Sequence, residues 1–328
     1  MNNVIIRKVE KKDFEGLVSL YEEVWPDVSY DKRAKTNFIL NESTGISYCA
    51  ELNKKIVGSR TSCYYNTYYG IKHLKCIHIG DSCVSKECRG KGIFNKMNLA
   101  MLKDFFDYSK GELIYNISVI ASRKAYEKIG WQYIESLQNL RKIVRPFHVL
   151  KTIKWHIGML TGVPDWESSE ELPSISSELL SKREEYLLSQ GRDLIHNKYT
   201  DVIFNWRMKS RSGIRKFEKS DLGAVLYKIG TKNGLVTINI GEVFLQEYSY
   251  ENFKRIINSI TNTLKPDILL CAISLGHPLH KFYKAMGFWA NPKQKFLNHG
   301  VRVESEEMKA IAYNPQNWAI STIDIDTF

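Results

Sequence analysis

The sequence predicts an α/β or α+β layer fold, built twice along one chain. Three observations lead there. Over the first 145 residues, predicted strands and helices follow the order β-α-α-β-β-β-α-β-α-β-β, so both kinds of element pack on one sheet. Part of that pattern returns after about residue 190. The chain has 328 residues, 43% hydrophobic and 25% charged, the balance of a globular protein with room for two domains.

The first strand is Val4–Val9. Asp13 then caps a helix that runs through Val24, with Phe14, Leu17, Leu20, Tyr21 and Val24 at helical spacing. Asp31–Leu40 reads as a second, short helix. Ile46–Ala50 and Lys55–Tyr65 are rich in β-formers and are divided by a turn at Asn53-Lys54. Leu74–Val84 is a strand, Arg89–Gly92 a glycine-bearing loop, and Phe94–Tyr108 a helix. Leu113–Val119 is the next strand, and Ser122–Ile129 a short helix ended by Gly130. Trp131–Leu137 and Leu140–Val144 read as a closing strand pair.

Residues 146–190 read as a linker. Phe147–Leu160 has the pattern of an amphipathic helix packed between domains, and Thr161–Ser177 that of an exposed loop. Further on, Ala224–Ile229 and Leu235–Leu245 are strands, Tyr250–Leu264 a helix, Asp267–Ser274 a strand, and His277–Met286 a short helix ended by Gly287. The expected organisation is one domain at 1–145, the linker at 146–190 and a second domain at 191–328.

Composition narrows the function classes. No stretch free of Asp, Glu, Lys and Arg exceeds the fourteen residues Ala310–Ile323, with thirteen at Ile268–His280, too short for a membrane helix of about 20 residues. The N-terminus has no apolar signal region, and none of the six cysteines forms a C-x-x-C pair. The expectation is a cytoplasmic protein with free thiols, no metal site and no membrane insertion. Net charge is +11, and residues 1–145 hold 24 basic against 16 acidic side chains. An anionic partner is drawn to that half, although a basic surface also serves solubility alone.

The segment Gly80-Asp81-Ser82-Cys83-Val84-Ser85-Lys86-Glu87-Cys88-Arg89-Gly90-Lys91-Gly92-Ile93-Phe94 carries the chemistry. A strand enters a short basic loop with two glycines, and a helix follows. Glycines admit positive φ and close approach of a ligand. The N–H groups of the loop and of the helix's first turn then form an anion cradle, to which Arg89 and Lys91 add charge. Tyr126 stands 34 residues beyond Gly92, in Ser122-Arg123-Lys124-Ala125-Tyr126-Glu127-Lys128-Ile129-Gly130-Trp131.

This order resembles the GNAT superfamily of CoA-dependent N-acyltransferases, whose signature is Arg/Gln-x-x-Gly-x-Gly/Ala followed by a Tyr-x-x-x-Gly-Phe-like segment. Arg89, Gly90, Lys91, Gly92 and Ile93 fit it. Phe94 replaces the usual small residue, and Val119 stands where an Asn is common. The second half echoes the first: Gly241-Glu242-Val243-Phe244-Leu245 mirrors Gly80–Val84, and Tyr283 again precedes a glycine by four residues. No Arg-x-x-Gly loop lies between them, since Gln246–Ser249 leads directly into the helix.

The resemblance implies two GNAT-like domains, each a mixed, largely antiparallel sheet flanked by helices, of which only the first holds acyl-CoA as co-substrate. It implies carrier contacts from Cys83, Val84, Arg89, Gly90, Lys91, Gly92, Ile93, Phe94 and Ser122. Asp81 is the candidate base or amine-orienting group, or else a strand-end residue capping a turn. Tyr126 is the candidate acid for the departing thiolate, or else a core tyrosine. Tyr64 and Tyr65 in the preceding hairpin, with Trp206 opening the second repeat, are candidates for the acceptor side, the hairpin pair otherwise being ordinary β-formers. The chain further resembles bacterial N-acyltransferases of nucleotide-linked amino sugars of the anthrose-pathway type. The implied reaction is direct attack by a small amine, with no nucleic acid as partner. An aminoacyl-tRNA-dependent transferase of cell-wall precursors and a non-catalytic acyl-CoA-binding protein are the alternatives.

Overall fold

The computed structural model describes residues 4–26, 31–42, 45–155, 173–209, 213–232 and 234–325. The elements are β1 (Ile5–Lys8), α1 (Phe14–Val24), α2 (Lys32–Asn37), β2 (Tyr48–Leu52), β3 (Lys55–Tyr69), β4 (Lys72–Val84), α3 (Ile93–Lys103), β5 (Leu113–Ser118), α4 (Ile120–Glu127), β6 (Gln132–Ile134) and β7 (Leu137–Ile143). They continue with α5 (Pro146–Trp155), α6 (Ser177–Leu188), β8 (Ile195–Asn197), α7 (Asp201–Lys209), β9 (Arg215–Lys219), β10 (Gly223–Lys232), β11 (Leu235–Leu245), α8 (Tyr250–Leu264), β12 (Ile268–Ser274), α9 (His280–Ala285), β13 (Trp289–Ala290), β14 (Asn298–Arg302) and α10 (Glu306–Ala312). The helix read over Phe147–Leu160 is α5 as far as Trp155. Residues 156–172, and with them most of the loop read over Thr161–Ser177, lie outside the described residues.

The chain divides into two compact units, and their composition differs from the contiguous domains read from the sequence. One unit holds Met1–Thr67, Lys72–Ile134 and Asn298–Tyr313; the other holds Tyr68–Ile71, Glu135–Leu297 and Asn314–Phe328. The first contains a mixed sheet with strand order β1-β2-β3-β4-β5-β14-β6, the second a sheet of order β13-β7-β12-β11-β10-β9. The strand pair expected from Trp131–Leu137 and Leu140–Val144 therefore does not form. Its second member, β7, lies antiparallel to β12 from Leu137↔Ser274 to Ile143↔Ile268. In the first unit the place beside β5 and β6 goes to β14, antiparallel to both. Strand pairing follows the register of buried side chains, and closeness in sequence does not decide it.

Local chemistry explains the elements nearest the site. Asn53 and Lys54 both take positive φ, at 51° and 64°, making the tight turn between β2 and β3. The start of α1 is tied down by Arg7, which bonds Asp13 at 2.7 Å and Glu51 at 2.8 Å. Helix α3 lays Met97, Met101 and Leu102 on the sheet, and Phe105 in the wide turn that follows is buried with Ile77, Ile79 and Ile114. In the second unit, Ser249 caps α8, and Phe253, Ile256, Ile257, Ile260 and Leu264 form its buried stripe. None of the six cysteines is in a disulfide. Among the described residues, no helix is long and apolar enough to cross a membrane.

Candidate active site

The opening in the first sheet comes from strands that part. β4 and β5 are paired in parallel over Cys76↔Leu113, Ile77↔Ile114 and His78↔Tyr115, and the pairing ends there. β4 continues to Val84 and β5 to Ser118. Beyond the last pair lies a cleft of about 450 Å³. Ser82, Cys83 and Val84 supply its strand wall, and Arg89, Gly90 and Gly92 its loop. Ile93, Phe94 and Asn95 of α3 close one side, while Val119, Ala121, Ser122 and Ala125 close the other. Val24 and Trp25, at the end of α1, complete the lining.

The loop has the geometry of a cradle. Gly90 and Gly92 take φ of 76° and 74°, a left-handed conformation costly for any residue with a Cβ. A Cβ built on either glycine meets nothing within 4 Å, so the space above both is open. Gly92 is the N-cap of α3, an eleven-residue helix whose first-turn N–H groups have no acceptor within the helix. The loop is fixed from behind. Arg89 Nε donates to the Val84 carbonyl at 3.2 Å, Cys88 N–H to Ser85 O at 3.0 Å, and Lys86 N–H to Glu23 Oε1 at 2.9 Å. An anionic diphosphate matches this arrangement, since the loop supplies N–H groups, the positive end of a helix dipole and no obstructing side chain.

The residues read from the sequence are distributed as follows. Cys83, Val84, Arg89, Gly90, Gly92, Ile93, Phe94 and Ser122 all line the cleft. Lys91 is exposed beside it. Asp81 lies on β4 within the unpaired stretch, and its side chain is outside the described part of the structure. Tyr126 is buried one residue beyond Ala125, its ring edge-on to Phe94 at 5.2 Å and tilted against Trp131 at 4.9 Å. Phe94, the departure from the usual small residue, thus forms part of the wall between Tyr126 and the cleft.

The hairpin tyrosines lie elsewhere. Tyr65 is buried and stacks on His78 with centroids 4.9 Å apart; Tyr64 packs near Phe105 at 6.3 Å. Neither lines the cleft; the Tyr65 ring is interior, whereas Tyr64 is half-buried. Trp206 lies on α7, with its side chain outside the described residues.

Two features of the site escaped the sequence reading. Trp25 reaches the cleft because α1 ends there. Arg60, in the middle of β3, is fully buried and donates through Nη1 to the hydroxyl of Ser82, a cleft-lining residue. Its Cζ lies 5.3 Å from the centroid of the Tyr126 ring. The available signal was an arginine amid the small residues Gly58, Ser59, Thr61 and Ser62 of a buried strand, where a charge is out of place.

The second sheet parts in a similar way but is filled. β11 pairs with β12 from Thr237↔Ile268 to Ile240↔Cys271, and then the ladder stops. The chain's own residues 318–322 occupy the neighbouring hydrogen-bonding positions: Ser274 N–H donates to Ile320 O at 3.0 Å, and Ala272 N–H to Thr322 Oγ1 at 2.7 Å. Glu242, the counterpart of Asp81 in the sequence echo, is buried against Arg183 Nε at 3.1 Å and accepts from Ser321 Oγ at 3.0 Å. Burial pushes the Glu242 carboxyl up from its ordinary value, and the Arg183 charge opposes that shift.

Parted strands, a left-handed glycine loop at a helix N-terminus and a tyrosine on the following helix define the class: a fold of GCN5-related N-acetyltransferases, present here as two mixed sheets flanked by helices. The family model "Acetyltransferase (GNAT) domain" matches residues 5–134, ending where the second stretch of the first unit, Lys72–Ile134, ends, before β14 enters its sheet. The fold is similar to a GCN5-related N-acetyltransferase from Kribbella flavida (TM-score 0.61, 10% identity, 92% of this chain and 71% of that one). It is similar to one from Anabaena variabilis as well (TM-score 0.63, 11% identity, 92% and 73%). A third similar structure is Eis1 from Mycobacterium abscessus (TM-score 0.54, 10% identity, 92% and 73%). At these identities the likeness is one of fold. No curated protein matches the sequence.

Proposed function

We propose that this protein is an acyl-CoA-dependent N-acyltransferase that works in the first unit alone. The observation that supports it best is the cradle: two left-handed glycines with open space above them, at the N-terminus of α3, beside strands that part. The diphosphate of the carrier lies against the N–H groups of residues 89–94. Its pantetheine arm runs along the unpaired edge of β4 at Cys83 and Val84, pairing like an added strand. That path brings the thioester to the parting of the strands, near Asp81.

The acceptor amine must lose a proton to attack, and Asp81 on that stretch orients or deprotonates it. Backbone N–H groups near Cys83 and Val84 polarise the thioester carbonyl. Tyr126 gives a proton to the departing sulfur, which requires Phe94 to move aside or the sulfur to reach behind it. The acceptor we favour is a nucleotide-linked amino sugar of surface-polysaccharide synthesis. That choice rests on the sequence resemblance. The second unit binds no carrier, because its parting strands are occupied by residues 318–322 and its Glu242 is committed to Arg183.

Acyl-CoA raises the melting temperature of the native protein, and Gly92→Glu abolishes the rise. No shift with the native chain removes the main support. A panel of nucleotide amino sugars, with thiol release as the readout, tests the acceptor. Release with simple amines and none with any sugar nucleotide refutes that part.

A further inference from the structure

The one buried cation beside the cleft that lacks a carboxylate among the described residues is Arg60. It is 1% exposed. Its Nη1 bonds Ser82 Oγ, while Nε and Nη2 have no hydrogen-bond partner. The guanidinium lies over the face of the Tyr126 ring, with Cζ 5.3 Å from the centroid. Burial draws its pKa down from the ordinary value; the nearby Tyr126 side chain pulls the other way. Tyr133, the other titratable group near it, is itself pushed up to about 12 by burial and so stays neutral.

A buried charge without a counter-ion is expensive, and a well-packed apolar side chain of similar size commonly replaces it at no loss of stability. What Arg60 gains from Tyr126 in the resting protein is a cation–π contact, worth about 0.5–2 kcal/mol. The contact becomes stronger at one moment in the reaction. As the amine nitrogen bonds to the carbonyl carbon and the carbon–sulfur bond breaks, the electron pair leaves on sulfur. Sulfur takes the proton of the Tyr126 hydroxyl, and a negative charge is left on the phenolic oxygen until water reprotonates it. A low-dielectric site multiplies the effect of a fixed cation on that charge.

We propose that Arg60 is a positioning residue for Tyr126: it holds the ring by its face and balances the charge that appears on the phenolic oxygen when the proton leaves. This rests on the acyltransferase reading and on Tyr126 as its acid, so the test carries a readout that does not need turnover.

Arg60→Met, Arg60→Lys, Tyr126→Phe and the double variant Arg60→Met/Tyr126→Phe are compared in the full chain. With an amine that the native protein acylates, Arg60→Met lowers kcat roughly 100-fold, the low end of what loss of one electrostatic group at a transition state costs. Its KM and Kd for acyl-CoA stay within about 3-fold, and its melting temperature does not fall, because a buried charge with no carboxylate partner among the described residues has been removed. Arg60→Lys recovers most of the rate. In the Tyr126→Phe background, Arg60→Met has little further effect. Equal losses in both backgrounds, or a lysine variant that folds but stays as slow as the methionine one, overturn the proposal.

The second readout is the near-UV circular dichroism of the free protein, taken as the difference from Tyr126→Phe. In Arg60→Met the Tyr126 band shifts as the ring loses the guanidinium over its face, and in Arg60→Lys it returns towards the native position. If the native protein releases thiol with no amine but this shift is seen, the coupling stands and the acyltransferase reading fails. No shift overturns the coupling whatever the activity.

Discussion

Replacing Gly92 by alanine separates what the loop does for the fold from what it does for a ligand. The backbone at Gly92 has φ 74°, so a Cβ there costs about 1 kcal/mol of left-handed strain. No steric cost within the protein adds to it, since an added Cβ meets nothing within 4 Å. Gly191, between α6 and β8, has the same two properties, with φ 69° and nothing within 4 Å, and is not among the residues that line the cleft. Each alanine variant should therefore lose about 1 kcal/mol, a fall of roughly 2–4 °C in melting temperature. Binding should differ. At Gly92 the methyl group stands over the α3 N-terminus and displaces a diphosphate from one N–H group. At about 1.5–3 kcal/mol for each charged hydrogen bond, acyl-CoA binds roughly 10–100-fold more weakly. Gly191→Ala leaves the affinity unchanged. Calorimetric titration with acyl-CoA, beside thermal unfolding of all three proteins, gives both numbers. Equal stability losses together with native affinity in Gly92→Ala would refute the cradle.

Three further outcomes are expected. Tyr126→Phe lowers kcat at least 10-fold while the Kd for acyl-CoA stays within about 2-fold, an acid's signature; unchanged turnover in stopped thiol-release assays removes it from that role. His299 is fully buried, and burial lowers its pKa to about 3. Since the unfolded chain takes up that proton near pH 6.5 and the folded one does not, stability is full above pH 6.5. It then falls by about 1.4 kcal/mol per unit as pH drops from there towards 3. Denaturant titrations of native and His299→Asn protein should show a shallower acid slope in the variant, and identical slopes would contradict it. Glu242→Ala strands the buried Arg183 and costs about 3–5 kcal/mol, whereas Arg183→Met/Glu242→Leu costs far less; both keep native acyl-CoA affinity. A loss of affinity in the folded double variant would bring the second unit into the site.

How much of this was legible in the sequence depended on whether the signal was local. Glycines followed by a helix are read within one turn, so the Arg89–Phe94 loop, the strand before it and Tyr126 were placed correctly along the chain. The alternating pattern of Lys55–Tyr65 likewise identified β3, although not its length. Which strand lies beside which depends on partners far away, and there the reading failed: β7 was paired with β6, and β14 was not anticipated at all. Tyr65 shows a related limit. Its β-propensity is the same whether the ring stacks on His78 in the interior or faces solvent. Arg60 was passed over because an arginine in a strand is ordinary until its burial is known. Trp25 has no local signature that marks it as lining a cleft.

The placement of β14 sets the order of events at the ribosome. Among the described residues, the edge of β5 away from β4 is paired with Asn298–Arg302, from Ile114↔Arg302 to Ser118↔Asn298. While a nascent chain has emerged only to residue 145, that edge offers bare N–H and C=O groups to any other strand, its own copies included. Completion of the first sheet therefore waits until Asn298–Arg302 has been made, long after β5. A fragment ending at residue 145 should be insoluble in consequence.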